Sequence, residues 1–547
     1  GMFNTYNIGA SHGGRAGNST YELYAGNYST GGFRDHSNWN SVNFGGKAKI
    51  PLSRISFLTF STFNQILTSE NPGFLLESAI DADRSQSLPY FRNDGKDIQK
   101  YLVNLGFKTA VNPNTNLTID LNYQHTNKDL TRTFGQFPLI LIQTGDQFYP
   151  AGVYTDTTIF ADTKRREITT DQISLAVRTF TEIPEISARI TGGIEVEYGS
   201  FDNTYYDVFR GFEYDYTNNF SPYDSVNAMG DGFRFTSAAY LSGEVRLLDP
   251  LKLLAGLRYD FISDEFDGMI PDMSMAKTNS AFSPKLALNL STGESDEYSG
   301  SIYISLSRSF KAPTIDQRTD FKNLYYYAFL EAGPSYFPIE IKAEPFANSN
   351  LIPQTGTSYE TGTYQSYRFS ENVTGELSLA GYLISVEDEI DFDLMTQKYR
   401  NIVNTEHTGL EIFLRTNYKK QASAFFTYSY SEVTFSDGEL EGKNLKGIPA
   451  NTFSGGIMLK PEKGLGGSII YSGASGIYLD DENTQKLNTY GVVNARATYS
   501  FGFATIHLDV NNIFDNHYNS SGYLLYGIRY LYPAMGRFIK GGVNFYF

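Results

Sequence analysis

The chain contains no cysteine and one tryptophan, and its six histidines are scattered over 547 residues. Without thiols it has neither a disulfide framework nor a thiolate metal site. His12, His36, His125, His407, His507 and His517 lack the spacing of a metal-ligand set. Long apolar runs are also missing: no stretch approaches the roughly 18 to 20 consecutive residues that a membrane-spanning helix needs. Positive charge is in deficit, 44 basic against 60 acidic residues for a net charge of −16, which argues against nucleic acid as a partner. No nucleophile elbow and no phosphate-cradling glycine loop before a helix is present, so no catalytic residue and no cofactor is expected.

What the chain has is 41 Tyr, 41 Phe and 50 Gly, and an aromatic content of 15% favours strands over helices. Strict alternation of apolar and polar residues recurs along it. Leu117, Ile119, Leu121 and Tyr123 interleave with Asn116, Thr118, Asp120 and Asn122. Ser301 to Ser307, Lys285 to Leu290 and Thr505 to Asn511 repeat the pattern. A mean hydropathy of −0.32 would suggest a soluble protein. That test is blind to a transmembrane barrel, whose strands face lipid on one side only.

Short connections (Pro51 to Arg54, Asn112 to Thr115, Glu182 to Glu185, Asp249 to Leu251, Lys419 to Gln421, Pro461 to Gly464) take turns with long polar, aromatic stretches. The long ones are Leu67 to Asp97, Lys128 to Lys164, Phe201 to Gly232 and Ala312 to Gln354. Tight periplasmic turns and extended extracellular loops give outer-membrane barrels this asymmetry. The expected class is therefore all-β, a transmembrane antiparallel β-barrel in one domain over residues 1–547.

Strand assignment between the turns gives about 21, with Phe3 to Ser11 running down toward the periplasm, and an even number is the rule. The expected parent barrel has about 22 strands, the first lying upstream of Gly1. No basic n-region or apolar h-region precedes the first strand, so a signal peptide is not expected in this chain. At the other end Val543, Phe545 and Phe547 alternate with Asn544 and Tyr546. Many bacterial outer-membrane proteins close this way, which implies an assembly signal read by the barrel-assembly machinery.

From Tyr303 onward the residues resemble the TonB-dependent outer-membrane receptor family. SRSFKAPTIDQ (Ser307 to Gln317) resembles that family's strand-to-loop segment. Asn350-Leu351-Ile352-Pro353-Gln354, followed by Glu360-Thr361-Gly362, resembles its Asn-Leu-x-Pro-Glu and Glu-x-Gly stretch, with Gln354 in place of the usual Glu. EDEIDF with YRNIVNTEHTGLEIFLR (Glu387 to Arg415), GIPANTFSGGI (Gly447 to Ile457), VNNIFDNHYNSSGY (Val510 to Tyr523) and PAMGRFIKGGVNFYF (Pro533 to Phe547) continue the match in order. GGFRDHSNWN (Gly31 to Asn40) is a weaker match.

The resemblance implies energy-coupled uptake of a scarce solute across the Gram-negative outer membrane, a ferric-siderophore-type chelate first. Cobalamin or a glycan is the alternative. It implies as partners outer-membrane lipid, a plug domain and, through the plug, the TonB coupling complex. No plug signature is found in Gly1 to Pro51, so this chain is expected to be the barrel without its plug. FKAP (Phe310 to Pro313) is followed by no His through Pro353, which lowers haem as a ligand. Two readings of other classes stay open, a plugless porin-like diffusion channel and a soluble all-β binding protein.

Aromatics and arginines in the long stretches are the candidate ligand contacts, since they offer large contact area and directed donors. One group is Arg318 with Tyr325, Tyr326 and Tyr327; the other is Arg210 with Tyr205, Tyr206, Tyr214 and Tyr216. The acidic run Glu387, Asp388, Glu389, Asp391 and Asp393 could attract a cation such as calcium, but it lacks the rhythm and glycine of a dedicated calcium loop, and a polar strand end is the favoured reading. Phe137 to Ile142, apolar but too short to span, is expected to pack against neighbouring loops.

Overall fold

The computed structural model describes residues 1–144, 147–153, 159–212, 225–332, 335–342, 347–393 and 398–547. Its main element is a 21-stranded sheet. Each strand pairs antiparallel with the next sheet strand in the chain, and short turns at one end face long connections at the other. The sheet curls until its edges touch: the Met2 amide donates to the Ile539 carbonyl at 2.9 Å, and the Phe3 and Phe538 rings stack at 6.1 Å. Below that rung no ladder among the described residues joins Tyr6–Ala16 to Phe538–Phe545. With an odd number of strands these two edges run in the same direction.

The two faces differ as alternation predicts. Phe107, Ile119, Val177, Ile194, Ala239, Tyr259 and Phe282 stand in one cross-strand row, with Ile194 60% and Phe282 62% exposed. Exposed apolar rows of this extent are what a lipid-facing surface requires. The opposite face carries paired polar groups: Asn104 donates to Asn122 at 2.6 Å, Asn122 to Ser174 at 3.3 Å and Arg178 to Asp120 at 2.5 Å, while Arg258 bridges Glu195 and Asp260 at 2.9 Å. Among the described residues no helix is long and apolar enough to cross a membrane, which says nothing about strands.

The short turns fall where the sequence places them, and so do the long connections Leu67 to Asp97 and Ala312 to Gln354, to within a few residues; Lys128 to Lys164 and Phe201 to Gly232 do not. Much of what reads as loop is strand: Thr115–Gln136, Phe160–Ile183, Ala188–Phe212, Ser225–Leu248, Leu251–Ile270 and Asp272–Glu294 are 20 to 25 residues long. Lys128–Gln136, Phe160–Lys164, Phe201–Phe212 and Ser225–Gly232 therefore belong to the sheet. A strand crosses lipid in roughly 9 to 11 residues. Beyond that height the outward face meets water, apolar alternation stops, and the ladder continues without its sequence signature.

The remaining long connections pack over the mouth. Loop strands Leu139–Thr144 and Tyr325–Ala332 pair in parallel at the centre of a four-stranded sheet, and Asn519–Leu525, Ile528–Pro533 and Leu75–Leu76 form another. Phe74, Tyr90, Phe91, Ile159, Phe209, Leu525 and Tyr530 make one buried cluster, and Leu75, Ile80, Leu479, Leu487 and Leu531 a second. The run from Phe137 to Ile142 packs against neighbouring loops as expected: Leu139 and Leu141 are buried with Ala328, and Phe137 lies against the Phe74 cluster. The apolar core of this protein thus sits in its crown, since the sheet itself turns its apolar face outward.

Candidate ligand-recognition site

The connection after Tyr298–Lys311 is seated on the polar, inward face of the tall strands. Thr314 caps a short helix, Ile315–Thr319, by a reciprocal pair with Gln317. Ile315 and Phe321 pack on Tyr205, Phe266 and Met275. The Phe266 ring fits because Gly230 faces it; a Cβ there would collide with the ring. Arg318, 1% exposed, donates to Asp264 at 2.9 Å and to the Leu351 carbonyl at 2.8 Å. Asp264, fully buried, also accepts from Arg234 at 2.6 Å, and Arg234 reaches the Pro313 carbonyl at 2.5 Å. Arg318 therefore ties the segment holding FKAP to the segment holding Asn-Leu-Ile-Pro. Gln354 accepts from the Ile390 amide at 3.0 Å.

A second ionic knot lies one strand over. Arg166 pairs with Asp316, donates to Asn203 at 2.6 Å and lies 4.8 Å over the Tyr205 ring. Lys164, buried, bridges Asp162 at 2.5 Å and Asp207, and Asp162 accepts the Tyr325 amide at 2.7 Å. Burial pushes the Asp162 carboxyl up to about 6 against the opposing pull of Lys164. Burial likewise holds the Tyr205 phenol well above its ordinary value. Asp94, which accepts from the Thr133 amide at 2.9 Å and hydroxyl at 2.6 Å, is raised to about 7 because desolvation outweighs those bonds.

The two groups of candidate contacts, separate in sequence, meet here. The Arg210 guanidinium lies 3.9 Å over the Tyr325 ring and pairs with Glu340 at 3.4 Å. Tyr327 packs between Phe160 at 5.7 Å and Phe212 at 5.0 Å. Tyr206 does not join them: it stands opposite Arg165 and donates to Glu167 at 3.2 Å, on the outward face. Tyr205 and Arg318 are buried beneath, in the support rather than at its surface. Of Tyr326 only the backbone, paired with Ile341, is described; Tyr214 and Tyr216 lie outside the described residues.

The acidic run is dispersed into pairs: Glu389 with His407, Asp391 with Lys446 at 2.7 Å, and Asp393 with Arg400 at 3.2 Å. No group of three or more metal-ligating side chains occurs among the described residues. At the chain end Val543 and Phe545 lie on the exposed apolar face, and Phe547 stacks on Phe545 at 6.2 Å. Sequence reasoning missed Asp162, Lys164, Asp264 and Arg166. The usable signal was the continuation of parity along the strands, for Asp162 and Lys164 through a stretch taken for loop, which places all of them inward.

A curled sheet of this size, apolar outside, polar inside and crowned by long loops, defines the large outer-membrane type of β-barrel. Residues 5–513 match the TonB dependent receptor-like β-barrel family, and the chain belongs to it. It is similar to the unliganded ferric citrate transporter FecA, at 17% identity over 98% of this chain and 75% of that one, with a TM-score of 0.73. The siderophore receptor PiuA from Acinetobacter baumannii gives 14% identity over 100% and 80%, with a TM-score of 0.78. The ferric yersiniabactin receptor FyuA from Yersinia pestis gives 14% over 99% and 77%, with a TM-score of 0.71. At these identities the structural likeness carries the fold.

Proposed function

We propose that this chain is the membrane barrel of an energy-coupled outer-membrane receptor that captures a ferric chelate of the siderophore type. The observation that carries the reading is the family match over residues 5–513 joined to a crown built from distant loops. The names of its structural relatives, which are ferric citrate, yersiniabactin and siderophore receptors, favour iron over cobalamin or a glycan. In this reading a plug fills the polar lumen and connects the barrel to the TonB complex, the C-terminal Val543, Phe545 and Phe547 address the chain to the barrel-assembly machinery, and lipid covers the apolar face. Arg210 and Tyr325 offer surface to the ligand, while Tyr205 and Arg318 hold that surface in place.

The test is retention of labelled solutes by cells displaying the chain in the outer membrane. Saturable retention of ferric chelates, with none of cobalamin or oligosaccharides, is the expected result. Retention of either of the latter instead would overturn the iron reading. A plugless diffusion channel would show itself by a large, steady conductance in planar bilayers that its own plug, added back, fails to close.

A further inference from the structure

Some charged groups of the inward face are paired, as Arg178 with Asp120, Arg258 with Glu195 and Arg496 with Asp509 show, while Lys47, Lys108, Lys277 and Lys285 stand singly without an ion pair among the described residues. Four further inward cations lie close together on two adjacent strands. Lys96 and Lys100 on Gly95–Asn112, and Lys128 and Arg132 on Thr115–Gln136, have no ion pair among the described residues. Their facing follows from an uninterrupted register: Lys128, Arg132 and the hydrogen-bonded Asn122 and Gln124 are all even-numbered positions of one strand without a bulge.

Lys128 stands opposite Ile98, and Leu130 opposite Lys96. Lys100, Lys128, Lys96 and Arg132 therefore form a zigzag in which each is the diagonal neighbour of the next, roughly 7 to 8 Å apart. The odd positions of the same segments carry Asp97 and Asp129, directly opposite each other on the outer face. The carboxylates of these two strand segments are thus placed outside, where Arg165 pairs with Asp129, and their cations inside, in a chain whose net charge is −16. The carboxylates that feel the cations are engaged elsewhere, Asp316 with Arg166 and Asp94 with Thr133. Aromatic rings flank the zigzag: Lys96 lies 5.3 Å over Trp39 and Arg132 5.4 Å over Phe134, while Tyr399 lies within the field of Arg132.

We propose that Lys96, Lys100, Lys128 and Arg132 form a subsite for a polyanionic ligand, a ferric complex whose carboxylate or catecholate oxygens leave it with net negative charge. Like cations held this close repel one another, and a multivalent anion removes that repulsion while the flanking rings cover its organic part. The chelate half of the statement rests on the receptor reading above; the anion half rests on the zigzag alone.

Trp39, the chain's one tryptophan, is a built-in reporter beside Lys96. The detergent-folded chain is titrated, following tryptophan emission, with ferric citrate, a ferric tris-catecholate, a neutral ferric trihydroxamate, a cationic ferric hydroxamate and metal-free inositol hexakisphosphate. Quenching by the anionic ferric complexes alone is expected. Their Kd should rise at least tenfold between 50 and 300 mM salt, and at least tenfold in Lys96→Gln/Lys128→Gln. Asp97→Asn on the outer face should leave it unchanged. If neutral and cationic chelates quench as well and the double variant is indifferent, the subsite is wrong and the iron reading stands. If only inositol hexakisphosphate quenches, and does so through Lys96 and Lys128, the anion subsite stands and the iron reading falls. Quenching by none of the probes overturns both.

Discussion

The strands of the main sheet from Thr115 to Glu294 are 20 to 25 residues long, whereas those from Thr405 to Phe545 are 8 to 14. Crossing lipid takes roughly 9 to 11. The low wall therefore does little more than cross, and its outward face is apolar nearly end to end. The tall wall crosses and then rises into water, and there its inward face becomes a platform on which the connection 312–353 is clamped by Arg318 and Arg166. One sheet thus serves as membrane anchor on one side and as binding scaffold on the other, and strand length makes the difference.

The comparison can be broken most forcefully at the clamp. Asp264→Ala leaves Arg318 and Arg234 buried without their carboxylate and is expected to cost about 3 to 5 kcal/mol, read in urea unfolding and in proteolytic opening of 312–353. Wild-type protection of that segment in the variant would show that the platform does not depend on the clamp. Next comes the lipid face: Ile119→Arg should cost about 2 to 4 kcal/mol if it lies near the bilayer midplane, against a much smaller cost for inward Gln124→Arg. Asp120 is the wrong inward control, because it pairs with Arg178 and Asp120→Arg would oppose two cations. Equal costs at positions 119 and 124 would sink the facing assignment.

Asp94 supplies a pH signature for the crown. Its folded-state value of about 7 lies above its ordinary 3.8, so the fold favours the protonated form. That contribution is complete at low pH and is lost as the pH rises through about 7. Crown stability, followed by hydrogen exchange at 71–94, should fall by on the order of 2 kcal/mol between pH 5 and pH 8. Asp94→Asn should flatten that dependence, and an unchanged slope would remove Asp94 as its source. On the low wall, Asn512 adopts a positive φ of 50° and its side chain exchanges bonds of 2.9 Å with the Asn516 backbone. Asn512→Ala should cost about 1 to 2 kcal/mol in the same unfolding titration. The smallest effect is expected at Thr204→Arg, outward but above the lipid and opposite Glu167, within about 0.5 kcal/mol. A penalty as large as that of Ile119→Arg would mean that the tall wall does not leave the membrane where alternation stops.

How far the sequence could be read follows the same boundary. Ile302, Ile304 and Leu306, or Ile506, Leu508 and Val510, announce a strand because lipid on one side and water on the other impose period two. Lys128 to Arg132 or Asp162 to Lys164 announce nothing of the kind, since water lies on both sides and either face tolerates charge. Those segments passed for loop, and the ionic knot inside them stayed invisible. Arg210 and Tyr325 were legible as chemistry, an arginine and an aromatic in long connections. Their contact was not, because it depends on register across strands far apart in the chain.

By itself the sequence determined the class of this protein: an all-β barrel, its turns, its outward rows and its family, each the result of a local pattern repeated under one uniform solvent constraint. Only the tertiary structure decided how high the wall between Thr115 and Glu294 stands, which candidate residues are surface and which are support, and that four cations of two neighbouring strands line up toward the lumen with no ion pair among the described residues. Those are matters of register and burial, set by contacts between residues that no local pattern links.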